Sequence, residues 1–473
     1  MTIAEQNEHQ TCRVIVLGRD GTEVLLVPNG DLHMLPCVEI QHFQRVAENV
    51  TVAVKSNWGE EVVCLFEPAA KTPADAGVTR YLAAEQLRTR SNPKMPMRWI
   101  PLSAVGPDSL IEARDYAAIK QVVGVCNGQI KGACAGPFAR LGWFRELRDW
   151  TDSVIEPMGL HTNGEFRQLN ATASFSLVRF ETDGPALWFK AVGEPNQREF
   201  GTTCALARLF PLYLPCVLGT RPEWNGWVTR EAEGEMLCNS RGYIPWQKAA
   251  ADLAKLQVDS ADKVQGILAT GAHDLGLGSL SKQIPSFVDA AQQLMERQAK
   301  TPPPIVGHKE LLLLGERVRE AIDFSERLGL PECLGHLDMN PGNVLVSARG
   351  CTFLDWAEAY VGNPCLTFQY LLEHFRRMFG NNLNQEFVLV ESHVVPWLGI
   401  LSREVIDAAL AVSPLLAVFA YAAATGMLND DKRLEDPQFA GYLRSLVRRM
   451  DREARAWANR SGKCTIQVTA SQA

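Results

Sequence analysis

The sequence lacks the features that mark several large classes of protein. Its twelve cysteines are scattered from Cys12 to Cys464 without one C-x-x-C pair. Metal-finger and disulfide-framework interpretations therefore fail, and a reducing, cytoplasmic compartment is expected. Residues 1–10 are polar and carry two glutamates, unlike a signal peptide. The most apolar late run, residues 413–428, is shorter than the roughly 20 residues that span a bilayer. A buried helix and no membrane partner are predicted.

A strong charge of either sign is also missing. The net charge is −7 over 473 residues, with 46% hydrophobic and 21% charged residues, as in an ordinary globular protein of about three domains. The sequence contains no basic stripe, so a nucleic-acid partner is not expected. The late arginines are expected to form one solvated helix face: Arg448, Arg449, Arg452 and Arg455. The sequence gives no indication of the oligomeric state.

What the chain does contain is a short hairpin flanked by acidic and amide side chains. Residues 343–346 and 351–354 are predicted to form its strands, with a turn at 347–350. If Val346 pairs with Cys351, Asn343 faces Leu354 and Asp355 lies one step beyond. Neighbours across an antiparallel pair lie roughly 5–8 Å apart. Asn343 and Asp355 are therefore expected to reach the same hard cation, which takes oxygen ligands and substrate phosphates.

Asp338 completes this pattern. It lies five residues before Asn343, on the loop that leads into the hairpin, where it is expected to meet an incoming hydroxyl. Phosphoryl transfer needs this division of labour, in which metal ions neutralise the phosphates and a carboxylate orients or deprotonates the acceptor.

A second pattern precedes the hairpin. Lys190 ends an apolar strand and Glu199 lies early on the next helix, the arrangement in which a helix glutamate holds a lysine that contacts ATP phosphates. The turn at residues 170–174 is placed to cover the phosphates. It has no glycine, so the G-x-G-x-x-G pattern of protein kinases is absent from it.

Residues 165–455 resemble the aminoglycoside phosphotransferase and choline kinase group of small-molecule kinases. The resemblance rests on residues 335–346 as a catalytic loop, on Asp355-Trp356 as a metal-binding segment, and on residues 361–364 as the following turn. It implies a bilobal, protein-kinase-like α+β fold that uses ATP and Mg²⁺.

The same resemblance assigns roles to single residues. Asp338 is the implied catalytic carboxylate, His336 braces the loop, and Asn343 and Asp355 hold magnesium. Thr229 and Glu231 fall where the hinge of this group offers backbone groups to adenine.

The chain departs from the family pattern at the following turn. Asn363 and Thr367 stand where acids are usual. Since those acids mainly brace the lobe, the changes bear on local stability more than on chemistry.

Five segments are predicted along the chain. Residues 1–125 form a small α+β domain that vaguely resembles a Nudix domain. Its helix carries Val52-Ala53 and Ser56-Asn57 where that family needs metal-binding acids, so pyrophosphate hydrolysis is not expected. Glu48, Glu60 and Glu61 are predicted to be surface charges. The other segments are a linker and connecting helix (126–164), a small ATP-binding lobe (165–235), a mainly helical catalytic lobe with the hairpin as its only strands (236–460), and a disordered tail (461–473).

These features predict an ATP-dependent phosphotransferase that acts on a hydroxyl of a small molecule. The alternative is a catalytically silent nucleotide-binding regulator whose N-terminal domain binds a partner. The acceptor stays open between aminoglycosides, amino alcohols, sugars and amino acids. The acids available after residue 361 are interspersed with arginines: Glu373, Glu386, Glu391, Asp430 and Asp431.

Overall fold

The computed structural model describes residues 9–41, 44–68, 79–89, 94–130, 136–299, 301, 303–424 and 434–470. The chain divides into two compact units. Unit 1 comprises Met1–Phe200 with Cys216–Glu231, and unit 2 comprises Gly201–Pro215 with Ala232–Ala473. Each unit combines helices with sheets, so the predicted α+β class is confirmed. The five predicted segment boundaries stay predictions, although the N-terminal segment and most of the small lobe share unit 1.

The first sheet of unit 1 has seven strands, and its centre is β1. This strand pairs in parallel with β6 and antiparallel with β2 and β4. The strands are β1 His9–Leu17, β2 Glu23–Asn29, β3 Leu32–Met34, β4 Cys37–Gln41, β5 Glu60–Cys64, β6 Thr79–Thr89 and β7 Arg98–Pro101. The helices are α1 Val46–Trp58, α2 Ala113–Cys126 and α3 Trp143–Ile155. Helix α1 ends at Gly59, whose φ of 71° suits a residue without a side chain.

The second sheet of unit 1 is the small lobe. Its five antiparallel strands follow the order β11-β12-β10-β9-β8. Their bounds are β8 Thr162–Ala171, β9 Ser176–Thr182, β10 Leu187–Ala191, β11 Val217–Arg221 and β12 Gly226–Arg230. Helix α4, Arg198–Leu209, follows β10 and begins in unit 1.

The two sheets of unit 1 share one core. Residues of the first sheet, such as Val63, lie in the same hydrophobic cluster as Phe189 of the second and Phe138 of the connecting segment. Gln168, fully buried on β8, joins the sheets by polar contact. Its amide oxygen accepts the Cys64 N–H at 2.7 Å and its amide nitrogen donates to the Cys64 carbonyl at 2.9 Å. One side chain thus satisfies both backbone groups of a buried strand residue.

One prediction about strand β5 was wrong. Glu60 and Glu61 are buried, with 0% and 8% exposure, whereas surface charges were expected. Glu60 accepts a hydrogen bond from Gln86 at 2.8 Å, and Glu61 pairs with Arg88 at 2.6 Å. They are buried because β5, an edge strand of its own sheet, packs against β8 of the small lobe. A single sequence gives no sign that its edge is covered.

Unit 2 contains two three-stranded sheets among its helices, in the orders β13-β16-β17 and β14-β18-β15. Its strands are β13 Glu235–Met236, β14 His273–Leu275, β15 Cys333–His336, β16 Val344–Val346, β17 Cys351–Phe353 and β18 Ala359–Gly362. Its helices are α5 Ile244–Ser260, α6 Val264–Leu268, α7 Leu277–Glu296, α8 His308–Leu328, α9 Cys365–Phe379, α10 Leu383–Val394, α11 Arg403–Ala424 and α12 Pro437–Ala470. The prediction that the only strands after residue 236 are those of the hairpin was wrong. Strands of two to four residues are too short to show an alternating pattern.

The late apolar run belongs to a longer helix than predicted. Helix α11 has 22 residues, which by length and composition alone is enough to cross a membrane. Of its most apolar window 61% is buried, against helices α8, α9 and α12, so the predicted buried helix is confirmed up to Ala424, while residues 425–428 of the predicted run lie outside the described residues. Helix α12 continues to Ala470, and the predicted disorder of residues 461–473 stays a prediction. No proline follows Ser461 to interrupt the helical hydrogen bonds.

The Gln168 contact yields a stability prediction. Gln168→Leu leaves the buried N–H and carbonyl of Cys64 without partners, and each unsatisfied group costs about 1–3 kcal/mol. We expect the free energy of unfolding to fall by roughly 2–5 kcal/mol, measured by urea denaturation. The neighbouring Arg167→Gln is the control, because Arg167 is 58% exposed and its ion pair with Glu48 contributes little. Equal unfolding midpoints for the two variants would contradict the role of Gln168.

Candidate active site

The predicted catalytic loop of unit 2 runs from β15 into the predicted hairpin. Val346 pairs with Cys351 and Val344 with Phe353, which is the predicted register. The Leu354 N–H donates to the Asn343 carbonyl at 2.8 Å. Asn343 and the residue before Asp355 therefore lie side by side, as the sequence predicts.

A short turn places Asn343 at the start of this hairpin. The Asn340 side chain accepts the Gly342 N–H at 2.8 Å, and its carbonyl accepts the Asn343 N–H at 2.9 Å. Pro341 occupies the first position of the turn, where its fixed φ is favourable and no N–H is needed.

Two amides hold the Asp338 carboxylate. Asn340 donates to Oδ1 and Asn343 donates to Oδ2, both at 3.1 Å. The Asn343 amide nitrogen also donates to the Asp338 carbonyl at 3.0 Å. Because these bonds use only the nitrogen of Asn343, its amide oxygen is the atom suited to a cation.

His336 links the loop that carries Asp338 to the strand end that precedes Asp355. Its Nδ1 accepts the Asp338 N–H at 3.1 Å, and its Nε2 donates to the Leu354 carbonyl at 3.0 Å. The residue is 1% exposed, and burial lowers the pKa of its imidazole. The ring is thus neutral, with the proton on Nε2, and it fixes Asp338 and the residue preceding Asp355 at once.

The uncharged residues at the two departures from the family pattern also support the loop. Thr367 Oγ1 accepts the His336 N–H at 2.9 Å and lies 2.9 Å from the Tyr360 hydroxyl. The Asn363 side chain accepts the Cys365 N–H at 2.9 Å. Gly335 makes room for the Tyr360 ring, because a Cβ there would lie 1.9 Å from it. Neutral hydrogen bonds therefore brace the loop where acids are usual.

Asp355 has an unusual backbone. Its φ of 61° and ψ of 64° place it in the left-handed region, which few residues other than glycine adopt. Such strain is typical of functional sites. Asp355 lies between the end of β17 at Phe353 and the turn at residues 356–358.

The small lobe contains the predicted lysine–glutamate pair. Lys190 Nζ lies 2.5 Å from a Glu199 carboxylate oxygen, and the two side chains are 18% and 2% exposed. The ring of Trp227, paired with Lys190 across β10 and β12, has its centroid 5.9 Å from Nζ. The lysine is thereby fixed within unit 1, while its contact with ATP stays a prediction.

The loop predicted to cover the phosphates is a closed turn. The Thr172 N–H donates to the Phe175 carbonyl at 2.8 Å, and the Ala173 carbonyl accepts the Phe138 N–H at 3.0 Å. No Cβ would fit at Gly136, since it would lie 2.0 Å from the Ala173 oxygen. The connecting segment therefore fixes this turn from one side.

The predicted hinge residues have partners inside the small lobe. Thr229 lies between Trp188 of β10 and Val217 of β11. The Glu231 carboxylate accepts hydrogen bonds from Arg179 at 2.7 and 3.0 Å, and these bonds lower its pKa. Its N–H donates to the Ala186 carbonyl at 2.8 Å. Adenine contact by Thr229 and Glu231 remains a prediction from position alone.

A cavity of about 170 Å³ opens beside Asp338, entirely within unit 2. Sequence analysis missed its basic side. Arg449, predicted to be solvated, lines this cavity and is only 24% exposed. Adjacent helical residues point about 100° apart, so Arg449 does not share one face with Arg448. The lining residues are Leu337, Asp338, Met339, Tyr370, Glu373, His374, Arg377, Val418, Tyr421, Tyr442, Leu446 and Arg449.

Comparison with known proteins bears on this site. Residues 273–391 match the model of the phosphotransferase enzyme family. The match contains His336, Asp338, Asn343 and Asp355, so the resemblance predicted from the catalytic loop is confirmed there. It supports a phosphotransferase. The Nudix resemblance of the N-terminal segment stays a prediction.

Solved structures resemble the chain weakly. A macrolide 2′-phosphotransferase from Brachybacterium faecium is 14% identical, with a TM-score of 0.41, over 64% of this chain and 98% of its own. An ethanolamine kinase from Plasmodium vivax is 13% identical, with a TM-score of 0.42, over 62% and 84%. A choline kinase from Cryptosporidium parvum is 11% identical, with a TM-score of 0.43, over 64% and 90%. No curated protein matches the sequence.

The support of the predicted catalytic loop by Thr367 can be tested by substitution. Thr367→Val keeps the shape but leaves the buried His336 N–H without an acceptor, a cost of about 1–3 kcal/mol. We expect faster amide hydrogen exchange at His336 and lower stability. Thr367→Ser keeps the hydroxyl and should preserve the slow exchange. Similar exchange rates in the two variants would show that the hydroxyl does not support the loop.

Proposed function

We propose that the protein is an ATP-dependent phosphotransferase that moves the γ-phosphoryl group to a hydroxyl of a small molecule. The observation that carries the proposal is the Asp338 carboxylate, which two amides orient at the edge of a cavity of small-molecule size. The family match over the same residues supports it.

Asp338 is the proposed catalytic carboxylate. It orients the acceptor hydroxyl towards the phosphoryl group and takes up the proton as the new O–P bond forms. His336 is a positioning residue, because both of its ring nitrogens are used within the protein and its lowered pKa keeps it neutral.

Asn343 and Asp355 suit a magnesium site. Mg²⁺ in such enzymes is bound by one or two protein oxygens together with substrate phosphates, and an amide oxygen and a carboxylate are the donors here. Among the described residues no group of three or more His, Cys, Asp or Glu side chains could hold a metal by itself, which fits a site that the nucleotide completes. When bound, the ion neutralises charge on the phosphates.

Lys190, held by Glu199, is the proposed phosphate contact of the small lobe. The ion pair with the buried Glu199 carboxylate orients the Lys190 ammonium group within unit 1. Thr229 and Glu231 are proposed to contact adenine.

Loss of Asp338 tests the catalytic role. In Asp338→Ala we expect turnover to fall by roughly 10²–10⁴, as is typical when a general base is removed, with Mg-ATP affinity nearly unchanged. Steady-state ADP release and calorimetry measure the two quantities. Near-normal turnover would refute the role, and Mg-ATP binding without turnover by the unmodified chain would favour the silent regulator.

Loss of Asp355 tests the metal role. Asp355→Ala should abolish magnesium-dependent ATP binding, because a carboxylate ligand is removed from an ion that the protein holds through very few atoms. Asp355→Asn keeps one oxygen and should retain weak binding. Calorimetry with and without Mg²⁺ distinguishes them, and an unchanged Mg-ATP affinity in the alanine variant would contradict the assignment.

A further inference from the structure

The cavity beside Asp338 has an aromatic wall. The Tyr370 hydroxyl donates to the Ala417 carbonyl at 2.7 Å, which fixes its ring. The ring of Tyr421 lies 6.1 Å from that of Tyr370, and Tyr442 also lines the cavity. Flat rings of this kind cover the carbon skeleton of a bound molecule. At about 170 Å³ the cavity is smaller than the roughly 300–1,000 Å³ of sites for drug-sized ligands.

The Glu373 carboxylate in the same lining is already paired with arginines. Glu373 accepts hydrogen bonds from Arg449 and from Gln369, the latter at 3.2 Å, and its second oxygen lies 3.7 Å from Arg377. Its side chain is 13% exposed. An incoming cation would therefore compete with two guanidinium groups for one carboxylate.

The part of the lining around Glu373 carries one positive charge in excess, because two arginines face one carboxylate. Each guanidinium has five N–H donors, and Glu373 uses only one N–H of Arg449 by hydrogen bond. Arg377 is 66% exposed, and its 3.7 Å ion pair with Glu373 is longer than a hydrogen bond. Burial, together with Arg377, lowers the pKa of His374, which is thus neutral. Within the described lining only Asp338 offers an acid without an arginine partner, and Asp430 and Asp431 lie outside the described residues.

We infer that the acceptor is a small hydroxylated carboxylate, such as a hydroxy acid or a hydroxy amino acid. The inference rests on the proposed function and narrows its substrate class. Arg377 and Arg449 bind the carboxylate of the acceptor, the tyrosines cover its carbon skeleton, and its hydroxyl faces Asp338. An aminoglycoside or a quaternary amino alcohol would bring positive charge to the two arginines and exceed or mismatch the cavity.

Matched acceptors test the inference. ADP release from Mg-ATP is measured with glycerate against glycerol, with serine and homoserine against their amides, and with ethanolamine, choline and kanamycin. We expect each hydroxy carboxylate to exceed the counterpart that lacks its carboxylate in kcat/KM by at least tenfold. If only the uncharged or cationic acceptors are turned over, the inference about the acceptor is overturned, while the proposed phosphotransferase activity stands.

Variants locate the carboxylate contact. In Arg377→Gln the KM for the hydroxy carboxylate should rise roughly 10–100-fold, because one charge-assisted hydrogen bond is lost. The KM for ATP should not change. Arg452→Gln is the control, since Arg452 is 69% exposed and lies on α12 outside the cavity. Equal effects of the two variants would contradict the contact.

Direct binding separates the two proposals. Saturation-transfer NMR with the same acids reports occupancy without turnover. Binding that Arg377→Gln abolishes, together with no ADP release, would keep the carboxylate site and refute the phosphotransferase. Neither binding nor ADP release with any of these acids would overturn the inference.

Discussion

The candidate site depends on one buried imidazole. His336 accepts a hydrogen bond from the loop that carries Asp338 and donates one to the strand end that leads to Asp355. A protonated ring would turn the acceptor Nδ1 into a donor facing the Asp338 N–H, and that clash costs more in a buried site than in water. Burial lowers the pKa of the ring and prevents this. A neutral histidine therefore holds Asp338 and the residue before Asp355 in fixed positions relative to each other.

Uncharged groups beneath the histidine make this arrangement self-consistent. Thr367 and Tyr360 support the backbone of His336 by hydrogen bonds between neutral groups. An acid in place of the fully buried Thr367 would put a charge against the backbone of His336, which is costly without a charged partner. Uncharged residues at the departures from the family pattern therefore avoid that cost.

The sequence predicted the local arrangement well and the tertiary arrangement poorly. The register of the Asn343–Leu354 hairpin followed from turn chemistry and strand length, and the Lys190–Glu199 pair followed from the strand-to-helix order. The short strands β14, β15 and β18 were missed, since runs of three or four residues are too short to show an alternating pattern. Burial of Glu60 and the position of Arg449 were missed because both depend on packing against distant segments.

Each unit sets its own part of the proposed chemistry. Lys190, Glu199 and the turn at residues 170–174 are held by contacts within unit 1, including those from the connecting segment at Phe138. Asp338, Asn343 and His336 are held by contacts within unit 2. These contacts hold the side chains in place within each unit, so less binding energy is spent on ordering them when substrates bind. The N-terminal sheet has a physical role in this scheme even without metal-binding acids, because it shares a core with the small lobe that holds the lysine.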